Sequence, residues 1–99
     1  MDPISLLVIA AISAAVAAAV ISWRTVQNWI AGKRVRAGVY GGTARIINER
    51  MQNGNYRVVA GVFDSLGTLK AQQVWKGGSL DHELTSRFQQ NEGVIVVHF

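Results

Sequence analysis

Ile4 to Ser22 reads ISLLVIAAISAAVAAAVIS, nineteen residues without a charge. No other feature of this chain restricts its options as far. As an α-helix the run is about 28 Å long, close to the hydrocarbon thickness of a bilayer. Trp23 and Trp29 follow it, in the place where amphipathic rings settle among headgroups, and Lys33, Arg34 and Arg36 come next. Only Met1, Asp2 and Pro3 precede it. The positive-inside rule then predicts a single-pass membrane protein with its N-terminus outside and its C-terminal domain in the cytoplasm. A cleaved signal peptide fits less well, because the leading residues carry Asp2 and no base. A buried helix of a soluble assembly is a further reading, since alanine favours lipid less than leucine does.

The alanines suggest what such a helix would do. Ala10, Ala14 and Ala18 recur at every fourth residue, as do Ala11, Ala15 and Ala19. Small residues at that spacing let helix backbones approach closely in lipid. The expectation is helix–helix association, giving a homo-oligomer or a subunit of a larger membrane complex.

The remainder is short enough for one small domain, which buries only ~60% of its surface when it folds alone. Residues 1–23 are read as the transmembrane helix, 24–42 as a basic juxtamembrane connector and 43–99 as the soluble domain. Residues 43–53 could be a helix, with Tyr40, Ala44, Ile47 and Met51 at helical spacing and Asn53-Gly54 as its stop. The same Asn-Gly could turn a hairpin, but the adjacent Ile46 and Ile47 break strand alternation, and helix is favoured. Tyr56–Phe63 is rich in β-branched and aromatic residues and reads as a strand. Asp64-Ser65-Leu66-Gly67 has type I turn chemistry, and residues 68–75 form the return strand. Ser79 is placed to cap a helix with Asp81 and Glu83 in its first turn and Leu84 and Phe88 on its buried stripe. Val94–Phe99 reads as a buried strand, reached by a crossover that returns it beside the first strand of the hairpin. The fold class expected is therefore α+β: a single N-terminal transmembrane helix, then helix, β-hairpin, helix and C-terminal strand.

Charge is uneven. Residues 23–57 hold seven bases and one acid, whereas residues 58–99 hold three bases and four acids. Bases beside an apolar run point first to the lipid bilayer as partner. Nucleic acid explains the same residues with more assumptions and is not expected. The chain has no cysteine, so it has neither a disulfide framework nor a thiolate metal site. Asp81-His82-Glu83 invites a metal reading, but consecutive helical residues diverge by about 100° and cannot converge on one ion. His98 stands far along the chain from His82. Asp64 is explained by its turn. No catalytic arrangement is visible, and neither an enzyme nor a metal or cofactor is expected. Gly41, Gly42 and Thr43 would precede a helix whose free amides could hold an anion, with Arg45 close by, although the Walker lysine is missing.

Two functions remain. The first is a membrane-anchored, non-enzymatic structural or assembly protein that oligomerises through its alanine-rich helix and its cytoplasmic domain. The alternative is a membrane-bound sensor or effector whose cytoplasmic domain binds a small anion, a nucleotide or phosphate, and alters the helix bundle.

Overall fold

The structure, a computed structural model, describes residues 15–99. Its elements are β1 (Val16–Ala17), β2 (Val20–Ile21), α1 (Trp23–Arg36), β3 (Thr43–Arg50), β4 (Tyr56–Phe63), β5 (Leu69–Gly77), β6 (Ser79–Leu80), α2 (His82–Gln90) and β7 (Val94–His98). The main sheet has the order β1-β5-β4-β3-β7, and β2 and β6 make a separate parallel pair. β3, β4, β5 and β7 are antiparallel to their neighbours, while β1 joins the outer side of β5 in parallel.

The membrane reading is overturned here. Among the described residues no helix is long and apolar enough to cross a membrane. The end of the apolar run is strand: Val16 pairs with Trp75 in β5, and Val20 pairs with Ser79 in β6. Ile21 is 1% exposed inside the protein core. The helix that follows starts only at Trp23, where the Ser22 hydroxyl accepts from the Thr25 N–H. It is half-polar and carries Lys33, Arg34 and Arg36 in its last turn. The single-pass topology and the membrane localisation lose their basis. The α+β class stands without the transmembrane helix. Ala10, Ala11 and Ala14 lie outside the described residues.

The second correction is at 43–53, which is not a helix. Thr43–Arg50 pairs in full with β4 on one side and with β7 on the other. Asn53-Gly54 turns the hairpin: the Gly54 N–H donates to the Met51 oxygen at 3.0 Å, and Gly54 has φ +87°. The adjacent isoleucines that argued against a strand have a simple cause. Ile46 faces the helices, Ile47 faces the opposite side, and both are buried. β7 therefore returns beside β3, antiparallel, and not beside the first strand of the β4–β5 hairpin.

Both helices pack on one face of the sheet. Trp23, Val26 and Ile30 of α1 and Leu84 and Phe88 of α2 join Ala44, Ile46, Val58, Ala60, Val62, Trp75 and Ile95 in a single core cluster. Ile47, Val59, Phe63 and Val74 form a second cluster on the other face, with Leu69 and Val94 packed against it. Among the described residues no helix contributes to that second cluster, and the face is called helix-free in that sense.

Candidate functional site

Three features of this sheet offer chemistry: a free edge, a face without helices and a recess at one end.

The free edge is β7. It pairs only with β3 among the described residues. The Phe99 N–H donates to the Gly42 oxygen at 3.0 Å, which fixes the alternation of the antiparallel ladder. Ile95, Val97 and Phe99 point their backbone groups at β3, so those of Val94, Val96 and His98 point outward, the Val94 N–H donating to the Asn91 oxygen at 3.2 Å. Nothing along Val94–Val97 blunts this edge: it has no charge, no proline and no bulge, the devices that protect natural edges. Val96 sits at its centre, 38% exposed. The opposite edge is closed by β1 along part of its length.

On the helix-free face, polar side chains ring the apolar cluster. The register aligns Glu49, Arg57 and Lys76 across three strands at one end. Arg57 pairs with Glu49, and Arg45 lies between Gly61 and Val96. Arg57 Nε and Gln72 Oε1 are buried without a hydrogen-bond partner.

The recess, about 390 Å³, is lined by Gly41, Gly42, Thr43, Asp64, Ser65, Gly67, His98 and Phe99. Three of the residues expected to bind an anion thus share a hollow, while Arg45 lies two residues further along β3 and is not among its lining. Thr43 opens a strand, so no helix N-terminus supplies its dipole here. Gly42 has a packing reason, since a Cβ on it would overlap the Phe63 carbonyl. The Asp64 carboxylate borders the recess. It accepts from the Thr68 and Leu66 N–H groups at 2.9 and 3.0 Å and lies 3.7 Å from the Lys70 ammonium. The Thr68 amide above all holds its pKa below the ordinary 3.8, against an opposing push from desolvation that comes second in size, and with further help from the Leu66 amide and Lys70. An anion entering the recess would meet a negative charge.

The residues expected at a membrane interface lie elsewhere. Trp23 is buried, with the Arg87 guanidinium 4.4 Å above its ring. Trp29 meets Trp75 edge to face at 5.8 Å. Arg34 donates to the Val39 oxygen at 3.2 Å and stacks on Phe99. Lys33 and Arg36 border a shallow hollow on α1 with Asn28, Trp29 and Gly32. Of the described alanines, Ala15 and Ala19 are exposed and Ala18 packs against the core.

Asp81-His82-Glu83 is structural. Asp81, and not Ser79, caps α2, accepting from the Leu84 N–H at 2.8 Å. The same oxygen accepts from the Trp23 N–H of α1 at 3.2 Å. Glu83 pairs with Arg87, and His82 is exposed. Among the described residues no group of three or more potential ligands is placed to hold a metal ion.

The edge of β7 was missed in the sequence because Val94–Phe99 reads as a buried run. The chain matches no protein-family model, and no similar chain is found among curated proteins or solved structures.

Proposed function

We propose that this chain is a non-enzymatic assembly module that associates with like copies through the free edge of β7. The observation that carries this reading is the outward backbone groups of Val96 and His98, with the Val94 carbonyl, around an exposed, uncharged Val96. An edge of this kind recruits another strand by main-chain hydrogen bonding. Two copies related by a two-fold axis would set Val96 opposite Val96 and join two five-stranded sheets into one, an isologous contact that closes without forming fibres.

Sedimentation of the full chain over a range of concentrations tests it. The expected particle is a dimer. Val96→Lys, which sets two like charges face to face, weakens dimerisation about tenfold or more. Val35→Lys, on the exposed outer side of α1 (67% exposed), leaves it unchanged. A native chain that sediments as a monomer at every concentration overturns the proposal, as does a dimer that Val96→Lys leaves intact.

A further inference from the structure

One glycine on the helix layer is not required by the fold. Gly32 lies inside α1, is exposed and has no positive φ. A Cβ built on it would meet nothing within 4 Å, whereas one on Gly42 would overlap the Phe63 carbonyl. Glycine in a helix interior nonetheless weakens the helix relative to alanine. What Gly32 leaves is space. It lines a hollow of about 190 Å³ together with Asn28, Trp29, Lys33 and Arg36. Asn28, Gly32 and Arg36 follow at four-residue steps along one side of α1, so bare backbone lies between two longer side chains.

The walls of the hollow carry charge and a flat ring. α1 holds Arg24, Lys33, Arg34 and Arg36 and no acid. Bases in a last turn offset the helix dipole, and Arg34 is further engaged, donating to the Val39 oxygen and lying over Phe99. Among the described residues the Lys33 and Arg36 side chains have neither an ion pair nor a hydrogen bond. Trp29 is fixed by Trp75, edge to face at 5.8 Å and 89°. It stays half-buried, and part of it borders the hollow.

These features select the occupant. Two unengaged cations beside a gap call for an anion, and a second copy offering the same face would set bases against bases. The C-terminal end of a helix disfavours an anion, so the ligand needs more than one negative charge and a shape that suits the guanidinium fork, as a phosphate does. The indole adds a preference for a flat organic group joined to that phosphate.

We infer that the hollow on α1 binds the phosphate ester of a planar base, a mononucleotide. The phosphate lies between Lys33 and Arg36, the ester crosses the bare backbone at Gly32, and the base rests on Trp29 with the Asn28 amide beside it. This inference does not rest on dimerisation through β7, and the two fail separately.

Titration calorimetry of the full chain with adenosine monophosphate, adenosine and inorganic phosphate tests it, with thermal unfolding of each variant alongside. The monophosphate is expected to bind one to one, at least about tenfold tighter than either adenosine or phosphate. Lys33→Gln and Arg36→Gln each weaken binding about tenfold or more. Arg24→Gln, on α1 but outside the hollow, leaves it unchanged. Gly32→Ala separates the site from the fold: it fills the gap and weakens binding about tenfold, while Tm holds or rises because alanine favours the helix. No binding at millimolar monophosphate overturns the inference, as does an affinity that Gly32→Ala or Arg36→Gln leaves intact. Phosphate alone binding as tightly as the monophosphate overturns it too, and so does a lowered Tm for Gly32→Ala, which would show that the glycine serves the fold.

Discussion

The two faces of this sheet are built from the same strands yet are completed differently. On one face, α1 and α2 deliver Trp23, Val26, Ile30, Leu84 and Phe88 onto β3, β4, β5 and β7. On the other, the apolar cluster of Ile47, Val59, Phe63 and Val74 is smaller and ringed by polar side chains. The difference teaches how to read the strands. A sheet with one wet face alternates apolar and polar residues, whereas a sheet covered on both faces shows continuous apolar runs. Val58-Val59-Ala60 and Ile46-Ile47 are runs of the second kind, so both faces of β3 and β4 are dry at their centres.

The largest effects test this equivalence. Ile46 and Ile47 are chain neighbours on opposite faces, 0% and 6% exposed. Truncating a buried isoleucine to alanine costs about 2–5 kcal/mol. Ile46→Ala is expected near the top of that range and Ile47→Ala near the bottom, because the second cluster is smaller and can collapse further. Urea denaturation of both variants decides it. An Ile47→Ala protein of wild-type stability would mean that the second face is open to water, and the comparison would break.

Half of this contrast was legible in the residues. The β4–β5 hairpin, its Asp64–Gly67 turn, the Leu84/Phe88 stripe and the last strand follow from local chemistry, and all are present. The errors share one cause. An apolar run states only that its residues leave water, not what they enter. Ile4–Ser22 matches a bilayer in length, yet Val16, Val20 and their neighbours find backbone partners in β5 and β6, an outcome fixed by residues more than fifty positions away. Residues 43–53 were misread because coincidental helical spacing at Ala44, Ile47 and Met51 outweighed β-branched content once alternation was lost. The candidate site suffered in turn, since the anion reading of Gly41–Arg45 relied on a helix that does not exist.

A middle-sized effect sharpens the helix-covered side. Asp81 Oδ1 accepts from both the Trp23 and the Leu84 N–H, so one carboxylate serves the N-termini of both helices. Losing an N-cap costs about 0.5–2 kcal/mol, and the added bond to α1 about 0.5–1.5 kcal/mol. Asp81→Ala is therefore expected to lower stability by about 1–3 kcal/mol, more than Ser22→Ala, which removes the local cap of α1 alone. Equal losses in thermal unfolding would show that the bridge between the helices adds nothing. Neither change touches the helix-free face.

The smallest effect belongs to the turn joining β4 and β5, which lies at the end of the sheet and on neither face. Asp64 is held there by the Thr68 and Leu66 amides and by Lys70, and its pKa is depressed below 3.8. A carboxylate with a lower pKa folded than unfolded stabilises the fold while it is ionised. That contribution is complete above 3.8 and is lost as the pH falls through the depressed folded value. Asp64→Asn keeps an oxygen for the amides but has no charge to titrate. At neutral pH the variant should unfold at a slightly lower temperature than the native chain, and the gap should close on acidification below 3.8. The exposed surroundings of the group and added salt both keep the gap small. A gap that stays constant to low pH would mean that the amides recognise the oxygen alone, so that the turn owes its geometry to hydrogen bonding without help from charge. Because none of the turn residues Asp64–Gly67 belongs to either cluster, either result should be independent of Ile46→Ala and Ile47→Ala, whose costs should simply add to it.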